Sequence, residues 1–246
     1  MTYYLKYRPQ TVSELDLDKV RDTLSKIIGS SQIPHAFLFS GPKGSGKTST
    51  ARILAKAVNC LKPEKTGEPC NKCEECLSIN KGSSMDVLEI DAASHRGVDD
   101  IRSLRETIKF SPAGSKKKVY IIDEAHMLTT EAANALLKTL EEPPSHALFI
   151  LATTAPEKLP DTIRSRCTTV PFYKGRPEEI LRALNKVVQG EELKVDKEIL
   201  QLVVAKSDGS FREAHKLLEQ LSLEGKEISF EKAMEIISGG ELNPIN

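Results

Sequence analysis

Residues 41–48 read Gly-Pro-Lys-Gly-Ser-Gly-Lys-Thr, a complete G-x-x-x-x-G-K-[ST] pattern, directly after the apolar run Ala36-Phe37-Leu38-Phe39. Such an order holds phosphate. Gly41, Gly44 and Gly46 free the backbone to turn its N–H groups inward around an anion. Lys47 reaches β- and γ-phosphate oxygens, Thr48 holds Mg²⁺ by its hydroxyl, and a helix opening at Lys47 aims the positive end of its dipole at the same place. Pro42, Lys43, Ser45 and Ser49 complete the expected nucleotide-binding set. A second group, Asp123-Glu124, ends the apolar run Val119-Tyr120-Ile121-Ile122, where a parallel sheet presents its ligands. The two acids suit different tasks: Asp123 binds Mg²⁺, directly or through its water shell, and Glu124 polarises the water that attacks the γ-phosphate. Together they point to hydrolysis and not to binding alone. A third group is Cys60, Cys70, Cys73 and Cys76, spaced C-x9-C-x2-C-x2-C. Four thiolates close a tetrahedral shell, so a structural Zn²⁺ site without an open position is the natural reading. Cys167 stands far from them in sequence and reads as a small packed residue.

Positioning these groups takes a sheet. Short apolar runs alternate with helical patterns: strand Ala36–Ser40, helix Lys47–Asn59, strand Val87–Asp91, helix Val98–Lys109, strand Val119–Asp123, helix Thr130–Leu140, strand Ala147–Thr153. This alternation predicts an α/β fold with a parallel sheet covered by helices. After Thr169–Phe172 the strand signals stop, and Pro177–Val188, Lys197–Ser207, Phe211–Ser222 and Ser229–Ser238 read as helices, with Asp196, Ser210 and Ser229 as N-caps. The expected organisation is a nucleotide-binding domain over 1–174, with the zinc insert at 60–76, and a small helical lid over 175–246. The run Lys116–Lys118 reads as a solvated strand entry.

Composition narrows the class. Lys+Arg and Asp+Glu number 35 each in 246 residues, so no global field steers the chain to nucleic acid or membrane. The first residues, MTYYLKYRPQ, lack the apolar core of a signal peptide, and no run approaches a membrane span. A cytoplasmic protein with reduced cysteines is the default.

The runs DEAHMLTTEAANALLKTLEEPP (123–144) and LATTAPEKLPDTIRSRC (151–167), with Tyr7-Arg8-Pro9, resemble the bacterial clamp-loader ATPases, the gamma/tau subunits of DNA polymerase III. Ser165-Arg166-Cys167 is similar to the S-R-C motif shared with replication factor C. The resemblance covers essentially the whole chain. It implies an AAA+ P-loop NTPase with a five-stranded parallel sheet and a helical lid, hydrolysing ATP with Mg²⁺ and carrying structural Zn²⁺. It implies that Arg166 acts in trans on the ATP of a neighbouring subunit, where a guanidinium meets the charge on the phosphoryl oxygens. It places Thr154 at the sensor-1 position and Arg212 at sensor 2. Taken alone, a strand-end threonine is an ordinary β-former and a helix arginine an ordinary solvated charge. Tyr7, Arg8 and Pro9 are implied to line the adenine pocket. There the family's Val-Gly-Gln is replaced by TVSELDLDKV, in which Val12 and Leu15 could touch a base. Arg96 and Lys138 lie in segments the family turns toward DNA.

The implied partners are delta, delta-prime and further gamma/tau copies, a sliding clamp and primer-template DNA, within a polymerase holoenzyme but without a polymerase site in this chain. A non-hydrolysing scaffold like delta-prime and another AAA+ DNA motor, such as a Holliday-junction branch-migration ATPase, are the alternatives. The C-terminal collar of full-length relatives is absent before Asn246, so the chain is either a fragment or assembles through weaker contacts.

Overall fold

The computed structural model describes residues 2–30, 32–95 and 97–237. In chain order, α1 (Tyr3–Lys6) and α2 (Asp18–Ile28) precede β1 (Ala36–Ser40) and α3 (Lys47–Asn59). Then come α4 (Glu74–Lys81), β2 (Val87–Asp91), α5 (Val98–Ile108), β3 (Lys118–Asp123), α6 (Thr130–Glu141) and β4 (Ala147–Thr153). The sheet closes with α7 (Asp161–Arg164) and β5 (Thr168–Pro171). Its five strands are all parallel, in the order β2-β3-β4-β1-β5.

Successive strand residues face opposite sides, and both sides are covered. Phe37, Phe39, Val119, Ile121 and Ile150 pack with Ile53 and Leu54 of α3 and Leu24 of α2. Leu38, Tyr120, Ile122, Phe149 and Leu151 pack with Ile101 and Leu104 of α5 and Leu136 of α6. Burial on both faces explains why β3 and β4 are nearly continuous apolar runs. Register aligns Ser40 of β1 with Thr153 of β4 and Ile122 of β3 with Leu151, so the carboxyl ends of the three strands meet at one edge.

The remaining helices, α8 (Pro177–Glu191), α9 (Lys197–Lys206), α10 (Phe211–Ser222) and α11 (Phe230–Ile237), enclose a separate core of Ile180, Leu184, Val187, Ile199, Val203, Leu218 and Leu221. Ser210 caps α10 by accepting from the Glu213 N–H at 3.2 Å. Asp196 stands at the N-cap of α9 without a side-chain capping bond, and Ser229 accepts the Lys232 N–H only at 3.4 Å. Ser238, the expected end of the last helix, lies outside the described residues. Strand structure does not stop at residue 172: β6 (Lys194–Val195) and β7 (Glu227–Ile228) pair in parallel. Two-residue strands carry no periodicity, so only their tertiary pairing makes them visible. No helix among the described residues is long and apolar enough to cross a membrane.

The lysine run is not simply a solvated entry. Lys116 Nζ donates to the Cys60 carbonyl at 3.1 Å, Lys117 Nζ to the Ser145 carbonyl, and Lys118, itself buried, to the Thr107 carbonyl at 3.1 Å. The start of β3 lies beside the carboxyl ends of α3 and α5 and the loop before β4, whose carbonyls need donors, and the three ammonium groups supply them.

Candidate nucleotide site and cysteine cluster

The loop between β1 and α3 is built around positive φ. Gly44 (φ 76°) is locked by the lid, because a Cβ there would lie 2.1 Å from Ser210 Oγ. The Phe211 N–H, opening α10, donates to the Gly44 carbonyl at 3.1 Å. Lys47 is buried, and its Nζ donates to the carbonyls of Gly41 (2.8 Å) and Pro42 (2.9 Å). Ser45 Oγ also donates to the Pro42 carbonyl, at 2.8 Å. Burial pushes the Lys47 ammonium below its ordinary value, with Arg212 acting in the same direction and Glu124 and Asp123 opposing. Thr48 Oγ1 donates to Asp123 Oδ2 at 2.7 Å, so the two groups expected to hold Mg²⁺ touch across the edge of the sheet.

Glu124 has a left-handed backbone (φ 47°, ψ 43°), a conformation of order 1–3 kcal/mol above the ordinary one for a non-glycine residue. Its N–H donates to Asp123 Oδ1 at 2.9 Å. Its carboxylate Oε2 accepts from Thr154 Oγ1 at 3.2 Å and lies 3.4 Å from His126 Nδ1. His126 Nδ1 also bonds Thr153 Oγ1 at 2.9 Å. The histidine stands openly in Asp-Glu-Ala-His, but its place beside Glu124 comes from the tight turn Ala125–Met127.

Tyr7, Arg8 and Pro9 line the same cleft as Lys43–Ser49, Asp123 and Glu124, and so does Leu15. Val12 does not. Its N–H is held by Glu68 Oε2 at 2.8 Å, and the residue is fully buried in the core under the sheet. Arg212 reaches the cleft from the lid, with its guanidinium 5.7 Å from the Tyr4 ring. Arg166 lies away from the cleft, its Nη2 donating to Glu141 Oε1 at 2.6 Å and its Nη1 to the Thr162 carbonyl at 2.7 Å. Lys138 is exposed on α6. Arg96 lies outside the described residues. Patterning also left several cleft residues unremarked, among them Tyr4, Asp16, Thr50 and His215, for which proximity in space is the only signal.

The four cysteines of the insert come together, their sulfurs all within 4.8 Å of one another. Cys60 Sγ and Cys73 Sγ are 4.0 Å apart, close to the roughly 3.8 Å between ligands of a tetrahedral zinc–thiolate shell. Backbone N–H groups of Lys72 and Cys73 push the Cys70 thiol down to about 6, whereas burial pushes Cys76 up. The cluster is compatible with zinc. All five cysteines are free, and burial raises Cys167, away from the cluster, to about 11.

A parallel sheet in this strand order, with a phosphate-binding loop after β1, an acidic pair after β3 and a helical lid, defines an AAA+ P-loop NTPase fold. It is similar to the Holliday-junction branch-migration motor RuvB of Thermotoga maritima, with a TM-score of 0.68 at 16% identity, over 95% of this chain and 72% of that one. Residues 17–175 match the family model described as DNA polymerase III, delta subunit, and the chain belongs to that family. Among curated relatives it is 47% identical to DNA polymerase III subunit tau of Bacillus subtilis over 238 residues, covering 96% of this chain and 42% of the relative. It is 46% identical to subunit gamma/tau of Mycobacterium tuberculosis over 90% of this chain and 39% of that protein. With subunit tau of Escherichia coli it shares 43% over 89% of this chain and 34% of the other. The chain therefore spans about two fifths or less of the length of these gamma/tau relatives.

Proposed function

We propose that the chain is the ATP-hydrolysing part of a clamp-loader subunit of bacterial DNA polymerase III. The observation that carries this reading is the 2.7 Å contact of Thr48 with Asp123 in one cleft with Lys47 and Glu124. Bound Mg²⁺ would neutralise charge on the phosphates. Thr48 and Asp123 would hold that ion, and Lys47 would bind the transferred phosphoryl group. Glu124 orients and deprotonates the attacking water, while Thr154 fixes the carboxylate that does so. Arg212 closes the cleft from the lid. Arg166, outside its own cleft, serves the site of a neighbouring subunit.

The assembly in this reading contains delta, delta-prime and further gamma/tau copies, acts in the cytoplasm, and opens a sliding clamp for primer-template DNA, with Lys138 among the phosphate contacts. Residues 1–174 supply the nucleotide and structural zinc sites and 175–246 the lid. The test mixes two inactive variants. Lys47→Ala lacks nucleotide binding and Arg166→Ala lacks the finger, so mixed assemblies regain part of the phosphate release at shared interfaces. Equal rates in an isolated monomer and in the assembly would falsify action in trans.

A non-hydrolysing scaffold is the second reading, favoured by the matched family's description as a delta subunit. Calorimetric titration with Mg²⁺-ATP separates the two: tight binding abolished by Lys47→Ala supports the ATPase, and no binding by the unmodified chain supports the scaffold.

A further inference from the structure

Three of the five buried side-chain atoms without a hydrogen-bond partner among the described residues, Arg8 Nε, Thr50 Oγ1 and His215 Nε2, belong to residues lining the nucleotide cleft. A buried polar atom left unpaired costs about 1–3 kcal/mol, so such a concentration marks a surface shaped for a ligand. His215 is the most informative of the three. It is 7% exposed, on α10, three residues after Arg212. That spacing puts both on one helix face, with His215 about 4.5 Å further along the axis. Leu15, Leu17, Val20, Phe172 and Phe211 also line the cleft, giving it apolar walls suited to a planar base.

The state of the imidazole follows from its surroundings. Burial lowers the ring below the ordinary histidine value, and the Ala183 backbone of α8, which acts on the ring as a hydrogen-bond acceptor, only partly offsets it. A neutral ring that donates to a carbonyl through one nitrogen carries a bare lone pair on the other. Nearby Asp16 makes no hydrogen bond with the free ring nitrogen and is itself held by Lys186 (2.8 Å) and Arg182 (3.6 Å). The lid thus holds a buried, unpaired ring nitrogen in a residue that lines the cleft.

We infer that His215 Nε2 reads the base of the nucleotide, accepting a hydrogen bond from the 6-amino group of adenine and rejecting a 6-oxo purine, whose carbonyl would meet the lone pair. This rests on the nucleotide reading of the cleft and adds the residue that sets base specificity. A site built to pair one polar group discriminates strongly against a ligand that lacks it, because its own partner is left buried and unpaired.

The test is calorimetric titration of the full chain with the Mg²⁺ complexes of ATP, purine riboside triphosphate, which carries hydrogen at position 6, and inosine triphosphate, which carries a carbonyl there. The unmodified chain binds ATP roughly 10-fold more tightly than the 6-hydrogen analogue and inosine triphosphate most weakly. In His215→Leu, with folding checked by thermal denaturation, ATP and the 6-hydrogen analogue bind within about twofold of each other. His215→Gln, whose amide oxygen can accept, keeps part of the preference, which an effect of packing alone would not restore. Equal binding of all three nucleotides by the unmodified chain, or undiminished preference in His215→Leu, overturns the inference and leaves the nucleotide site standing. Failure of every nucleotide to bind the unmodified chain overturns both.

Discussion

Glu124 follows β3 but leaves its line, and the left-handed backbone at φ 47° is what brings its carboxylate to Thr154 and His126. A carboxylate fixed by a hydroxyl at 3.2 Å keeps its free lone pairs for a water. Glu124→Gln keeps the shape and removes the proposed base. It should bind Mg²⁺-ATP within about threefold of the unmodified affinity and release phosphate at least about 100-fold more slowly, measured by single-turnover quench in the assembled complex. Thr154→Ala leaves the Glu124 carboxylate in place but unfastened. A loss on the order of 10-fold in kcat with KM little changed is expected, and equal losses for the two variants would remove the distinction between base and positioning group.

At the scale of elements, the cysteine insert holds more than its own sulfurs. Glu68, buried in the insert, accepts the N–H groups of Val12 (2.8 Å) and Ser13 (2.7 Å). Asn71, in a left-handed turn (φ 54°), accepts from Lys56 Nζ at 2.6 Å, and the same ammonium donates to the Gln10 carbonyl at 2.9 Å. Burial pushes Lys56 down to about 8, so these bonds form a compact polar joint. The joint anchors residues 10–13 between Arg8-Pro9 and Leu15, both of which line the nucleotide cleft. Order in the insert is thereby transmitted to the cleft. Glu68→Ala orphans two N–H groups and should cost about 1–3 kcal/mol in chemical denaturation, with an ATP affinity weaker by roughly 3- to 10-fold, about 1 kcal/mol of that loss reaching the cleft. Treatment with a zinc chelator should weaken ATP binding in the same direction. Unchanged affinity in both experiments would disconnect the insert from the cleft.

At the scale of the whole molecule, one buried carboxylate joins the sheet to the lid. Glu179 of α8 accepts from the Asp18 N–H (3.0 Å), the Tyr173 hydroxyl (2.9 Å) and both the backbone N–H (2.8 Å) and guanidinium (3.0 Å) of Arg176. Burial by itself would raise this acid, but these donors hold it at about 2. Because the folded value lies below the ordinary carboxylate value of about 4.3, its contribution is complete above that pH and is lost as pH falls through the folded value. Between about pH 4.5 and 2, therefore, the seam loosens. Thermal denaturation across that range should show a steeper acid loss of stability in the unmodified chain than in Glu179→Gln, which is less stable by about 2 kcal/mol at neutral pH. Parallel pH profiles would assign the acid response to other groups. Around this node, Arg182 and Lys186 bind Asp16 and Asp18, and Tyr7 and Lys6 bind Glu191. The chain's first residues thus strap the lid onto the nucleotide domain.

The phosphate loop, the acidic pair and the cysteine spacing were legible because each is a short run whose residue types are dictated by chemistry, and the sheet was legible because buried parallel strands must be apolar throughout. Other features carry no local signature. Val12 reads as a candidate for the base pocket until Glu68, 56 residues away, turns it into the core. Lys116–Lys118 read as solvated until three carbonyls from other segments meet them. Sequence alone therefore determined which groups capable of chemistry the chain carries and the alternating elements that present them, since these follow from residue type and period. Tertiary structure alone decided which side chains share the cleft and that His215 brings an unpaired ring nitrogen to its lining, because burial and hydrogen-bond pairing are set by residues distant in the chain.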